Sequence, residues 1–289
     1  MLSRATPFLL VAPVQTLLML LIGLPSLYVL FLSFTQSTFG DAPTFVGLAN
    51  YIEVLTSGYF WTAFVNTLVV VNAVVYGELL LALGAAFLFA SGVPWRPVMF
   101  SVMLAPYAVS PVVAVVMWRY LAEPDIGLLT QALQVFGLPT LEWATNRWHA
   151  LTLVVVLSIW IHLPFTFIIL YAAVLGVPKE LYEAARVDGA SPLQLFRHVS
   201  LPGIMPAILV ATLFRFVFAF RLFTEVWLLT GGGPIRQTEV LATFLYREGF
   251  RYQNFGTAAA TGWLMLVVSL LIASYYLLKV TGRMRVDHG

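Results

Sequence analysis

Six apolar runs decide what this chain can become. They are Phe8–Phe34, Trp61–Ala90, Val98–Leu121, Ala150–Val177, Gly203–Leu229 and Thr257–Val280. Each is long enough to cross a bilayer, whose hydrocarbon core takes about 20 residues of helix. Backbone in lipid must satisfy its own hydrogen bonds, and a helix does so within one segment. Only 10% of the 289 residues are charged, against about 25% in a soluble domain. The reading is an all-α, polytopic membrane protein with six transmembrane helices, forming one membrane domain over residues 1–289. The first run far exceeds the roughly 7–15 residues of a signal-peptide core, so it is read as a retained helix.

Lysine and arginine placement sets the expected orientation. With both termini in the cytoplasm, eight basic residues fall inside (Arg4, Arg96, Lys179, Arg186, Arg197, Lys279, Arg283, Arg285) and five outside (Arg119, Arg147, Arg236, Arg247, Arg251). The loop Thr35–Phe60 has no basic residue, which places it outside. An even number of spans then puts the segment Pro178–Pro202 in the cytoplasm.

Several chemistries are excluded. The chain has no cysteine, hence no disulfide, no thiolate metal site and no cysteine nucleophile. It has no HExxH helix for zinc and no GxxxxGK[ST] loop to cradle nucleotide phosphates. No catalytic or metal-ligating residue is assigned. The basic residues form no block of the kind that binds nucleic acid. No inverted repeat is legible, which weighs against a secondary transporter.

Residues 178–202 stand apart as a polar, helix-patterned stretch between two apolar runs. Pro178 suits a first helical position and Glu180 the first turn beside the helix dipole. Gly189 is placed to end that helix with a positive φ. Ser191, Pro192 and Gln194 then read as a capping box starting a second helix, which should end near Leu201-Pro202. Small residues here allow close approach of another surface, and Glu183, Arg186 and Asp188 offer charge of both signs. An amphipathic helix lying on lipid is the plain alternative, although a lysine-rich face is missing.

The series Glu183-Ala184-Ala185, Gly189-Ala190, Phe196 and Leu201-Pro202 resembles the EAA motif of ABC importer permeases. Val199 stands where that family often has isoleucine. The run Leu228–Pro234 with Gly231-Gly232-Gly233, followed by Thr238, Tyr246, Phe250, Gly256 and Ala258–Ala260, is similar to the carbohydrate-uptake branch, the maltose-type permeases. The resemblance implies a six-helix subunit with the type I ABC importer permease fold in the cell inner membrane. It implies that 178–202 is the coupling-helix loop, with Glu183, Ala184, Ala185, Asp188 and Gly189 meeting an ATPase. It further implies a second, different permease subunit, two ATPase subunits that hold ATP and magnesium, and an extracytoplasmic solute-binding protein facing Gly231, Gly232, Gly233 and Pro234. No cofactor is expected in this chain itself.

Charges at membrane depth are functional suspects. Arg221 and Glu225 are four residues apart and are expected to pair, while Glu78 is matched with Arg215 or Arg221 across helices. His162 beside Pro164 marks a distorted helix and a hydrogen bond to a neighbour. Asn66 and Asn72 are read as interhelical glue. Trp160, Phe214, Phe218, Arg221 and Glu225 are the candidates for a carbohydrate path along the fourth and fifth helices. An ion-gradient-driven transporter using Glu78 or Glu225 as its proton site is the alternative.

Overall fold

The computed structural model describes residues 6–286. Arg4 lies outside the described residues, as do the side chains of Lys279, Arg283 and Arg285. In chain order the helices are α1 (Leu10–Ser33), α2 (Ala49–Thr56), α3 (Gly58–Ala90), α4 (Arg96–Leu104), α5 (Pro111–Leu121), α6 (Leu128–Val135), α7 (Arg147–Leu175), α8 (Lys179–Val187), α9 (Pro192–Ala219), α10 (Thr224–Leu229), α11 (Leu241–Tyr246) and α12 (Phe255–Val286). Five of these are long and apolar enough to cross a membrane, and α4 with α5 makes a sixth, broken span.

The chain forms two compact units. The first joins the residues up to Trp61 with Phe244–Val267. It contains one antiparallel hairpin, β1 (Thr35–Gln36) paired with β2 (Thr44–Phe45). Buried Asn50 donates to the carbonyls of Ser33 (3.0 Å) and Thr35 (2.8 Å), so α2 is tied to the exit of α1. Gly256 sits against the Thr35 carbonyl and the Asn50 amide, where any Cβ would collide. Phe60 meets Phe244 edge to face at 5.9 Å.

The second unit is Thr62–Thr243 with the chain from Val268 onward. Lipid offers helices no hydrophobic drive to associate, so close packing and hydrogen bonds hold them. Ala82 and Ala86 of α3 are fully buried in a cluster with Phe89, Phe167, Leu170 and Ile204. Gly77 leaves room for Ile159, and Gly203 for Val177, at distances that a Cβ would make tight. Asn66 donates to the Gln237 and Glu239 carbonyls, both at 2.8 Å, and accepts from Arg147 at 2.8 Å, which makes it the expected glue. Asn72 differs: it donates to Leu68, one turn back on its own helix.

Two expected spans are not continuous. Within Val98–Leu121 the chain passes from α4 through a 3-10 turn at Ala105–Ala108 and bends by 101° into α5. Pro106 and Pro111 cause the break, since neither has an N–H to give. The expected helix Gly203–Leu229 ends at Ala219 and restarts at Thr224. At its other end it begins early. The second helix of 178–202 does not stop at Leu201-Pro202 but runs through a π turn at Phe196–Ser200 into α9. In that wider turn Leu201 donates to the Phe196 carbonyl, just ahead of Pro202, which has no donor.

Candidate functional site

The two helix breaks border the same cavity. It holds about 180 Å³ and is lined by Pro111 at the start of α5, by Arg221 to Phe223 between α9 and α10, and by Ser158, His162, Arg215, Phe218 and Glu225, with Val70, Val71 and Val74 as an apolar wall. All of these belong to the second unit. Ser158 and His162 are four residues apart on α7, so they share one face. That spacing within an otherwise apolar run was the signal available for Ser158, which residue-by-residue reading missed.

Charge in this region is partly matched. Arg215 Nε donates to Glu78 Oε2 at 2.8 Å, and Thr166 Oγ1 donates to the other carboxylate oxygen. Arg215 is 4% exposed and Glu78 fully buried, so each neutralises a charge that would be expensive alone. Glu225 does not pair with Arg221 as expected. The helix is interrupted between them, and Glu225 Oε1 lies 3.3 Å from His162 Nε2 instead. This supplies the interhelical bond expected of His162, and α7 carries Pro164 without a break. Arg221 faces the cavity and is exposed.

Two buried groups on the cavity have no partner among the described residues: Ser158 Oγ and Arg215 Nη2. A buried donor left unmade costs about 1–3 kcal/mol. Both are therefore poised to hydrogen-bond whatever occupies the space. Of the candidates for the path, Phe218, Arg221 and Glu225 line it. Trp160 and Phe214 do not. Trp160 packs on Trp118 at 5.8 Å, and Phe214 turns to the outer surface of α9, stacked on Phe218 at 6.3 Å.

The hairpin α8–α9 forms as its sequence dictates. Pro178 precedes α8, Asp188 closes it and Gly189 follows at φ +79°. Ser191 and Gln194 make a complete capping box, with the Gln194 side chain accepting from Ser191 N at 2.7 Å. The Tyr182 and Ser200 hydroxyls meet at 2.9 Å and pin α8 onto α9. Glu183, Ala184, Asp188 and Gly189 are exposed and Ala185 half-buried. Leu181, Val187 and Leu193 are also exposed, Val187 at 88%. A hollow opens between Ala185, Asp188, Gly189, Gln194 and His198. Ser191→Ala is expected to cost this start of α9 about 1 kcal/mol, read as faster amide exchange at Leu193–Leu195 with the rest of α9 unchanged.

The run Gly231–Pro234 is a built turn. Gly231 and Gly232 take φ of +61° and +87°, a region open to glycine. Thr238, fully buried, donates to the Gly233 carbonyl at 2.5 Å and meets the Thr230 hydroxyl at 2.9 Å.

Residues 78–281 match the family described as binding-protein-dependent transport system inner membrane component. The chain belongs to this family. It is accordingly a multi-pass inner-membrane protein, the permease subunit of an ABC importer; it is not an enzyme, and the ATPase is a separate chain. Similar proteins include the sn-glycerol-3-phosphate transport system permease protein UgpA of Escherichia coli O6:K15:H31, 33% identical over 287 residues, 98% of this chain and 96% of the relative. The probable ABC transporter permease protein YurN of Bacillus subtilis is 33% identical over 279 residues, 94% of each chain. In fold, the permease resembles a chain in the crystal structure of a bacterial ABC transporter involved in the import of the acidic polysaccharide alginate. That match has a TM-score of 0.80 at 22% identity, covering 95% of this chain and 94% of the other.

Proposed function

We propose that this permease passes a carbohydrate through the cavity between its broken helices, driven by ATP hydrolysis in a partner that grips the hairpin α8–α9. One observation carries the reading: two interruptions of transmembrane helix meet at one polar cavity. Irregular backbone at membrane depth is tolerated only where protein buries it or water reaches it, and broken helices mark solute sites in transporters. Ser158, Arg215, Arg221 and Glu225 offer donors and acceptors for hydroxyl groups, and Phe218 and Phe223 offer ring faces. The names of relatives and of a structural neighbour, which handle a polyol phosphate and a polysaccharide, agree with a hydroxylated solute.

Glu183, Ala184, Ala185, Asp188 and Gly189 form the coupling surface. Their exposure, together with that of Leu181 and Val187, suits a partner rather than water. This end is cytoplasmic, as are both termini. The Gly231–Pro234 turn faces the binding protein outside. A second, different permease subunit and two ATPase subunits holding ATP and magnesium complete the importer.

Reconstitution tests this reading. Vesicles holding this chain, the second permease and the ATPase are expected to accumulate sugar only with internal ATP and external binding protein. Uptake by this chain alone on a proton or sodium gradient would sink it in favour of a secondary transporter. Within the active complex, Ser158→Val is expected to raise the half-saturating sugar concentration about tenfold through one lost hydrogen bond. ATP hydrolysis stimulated by the binding protein should persist.

A further inference from the structure

We propose that α2 is an interfacial helix, seated with its outward stripe in the headgroup boundary of the bilayer. This part of the loop between α1 and α3 then belongs to lipid and is closed to a soluble partner.

The depth of α2 follows from where apolar sequence stops. The helix α1 ends at Ser33 and its apolar run at Phe34, after which come Thr35, Gln36, Ser37 and Thr38. The next apolar run begins near Trp61. A chain leaving hydrocarbon meets the headgroups at such points, and α2 is bonded to both. Asn50 holds it to the Ser33 and Thr35 carbonyls, and the hydroxyls of Tyr51 and Ser33 meet at 2.8 Å. At the other end the Trp61 indole N–H donates to the Leu55 carbonyl at 2.8 Å, one of the last carbonyls that a helix cannot satisfy within itself. The Trp61 ring stays exposed, an apolar body with a bonded polar edge, which is what sets tryptophan at a membrane surface.

The free face of α2 suits that level. At about 100° per residue, Leu48, Ile52 and Leu55 form one stripe, on the side away from buried Asn50 and Val54. Leu48 and Ile52 are 61% and 62% exposed, and Leu55 is 42%. Glu53 flanks the stripe, and its carboxylate accepts from the Thr257 hydroxyl at 3.4 Å. The stripe itself is uncharged. The exposed face of the α8–α9 hairpin differs, for it carries Glu183, Arg186 and Asp188. No Lys or Arg lies between Thr35 and Phe60, so attraction to anionic headgroups contributes nothing. Apolar burial and the tethers at each end hold the helix in place.

The absence of cysteine makes single labels unambiguous. Leu48→Cys, Ile52→Cys and Leu55→Cys, with Asp41→Cys as the aqueous reference, each carry a nitroxide in the importer assembled with cysteine-free partners in nanodiscs. Electron paramagnetic resonance then compares collisions with oxygen, which concentrates in lipid, against those with a water-soluble nickel chelate. Oxygen is expected to dominate at the three stripe positions and nickel at the reference. The values should be the same in wholly zwitterionic lipid and with added phosphatidylglycerol, and unchanged by binding protein and ATP. Nickel access at the stripe equal to that at the reference overturns the proposal, since the face then meets water. Low collision with both reagents, or a fall when binding protein is added, overturns it in favour of a protein contact. Seating that requires the anionic lipid overturns apolar burial as its cause. Should one label disturb assembly, the other two decide.

Discussion

Replacing Arg215 with methionine is expected to destabilise the folded chain by about 3–5 kcal/mol, the cost of leaving a buried charge without its partner. Glu78 would keep only the Thr166 hydroxyl in a site with no exposure. The reading is thermal unfolding in detergent, followed by loss of the monodisperse chain. The double variant Glu78→Met with Arg215→Met should recover most of the loss, because a buried ion pair replaced by apolar groups of similar volume is often neutral. The same double variant removes Arg215 Nη2 from the cavity, so restored stability should come without restored transport. An Arg215→Met chain that melts with the parent would mean that the pair does not hold α3 to α9.

The second large effect is at Gly189. Its φ of +79° lies in the left-handed region, and nothing lies within 4 Å of where a Cβ would stand. Space is therefore not the constraint; backbone conformation is. A side chain there costs roughly 1–2 kcal/mol, more when branched at Cβ. Gly189→Val is expected to reshape the α8–α9 turn and return ATP hydrolysis to its unstimulated rate in the assembled importer. Insertion into the membrane should be normal. Gly189→Asn, which tolerates this conformation, should retain most of the stimulation. Full stimulation in Gly189→Val would remove the hairpin from the coupling pathway.

The hairpin was the most legible part of the chain, because local chemistry alone builds it: Gly189, Ser191 and Gln194 do what their side chains dictate, while Pro178 stands one residue ahead of α8 rather than at its first position. That Glu78 would meet an arginine of the fifth apolar run was legible for a similar reason, since charge in an apolar run has few ways to be satisfied; that the arginine is Arg215 and not Arg221 was not. The helix breaks were less so. In Val98–Leu121 the signal was present in Pro106 and Pro111, but run length outweighed it. Between Ala219 and Thr224 there is no proline or glycine, and the interruption accompanies the contact of Glu225 with His162 on another helix. A tertiary bond of that kind leaves no local mark. It also explains why the Arg221–Glu225 pair, sound for an unbroken helix, does not form. Trp160 and Phe214 were drawn from a chain rich in aromatics, where ring identity says nothing about which way a helix is turned.

The helix α9 is unbroken from Pro192 in the hairpin to Ala219 at the cavity, about 42 Å of rod at 1.5 Å per residue. Each residue added or removed along it would rotate Arg215 by about 100° relative to the hairpin, away from Glu78. The count of residues between Gly189 and Arg215 is thus held as firmly as their identities. A tilt of about 10° imposed at the hairpin would sweep the far end of such a rod through about 7 Å.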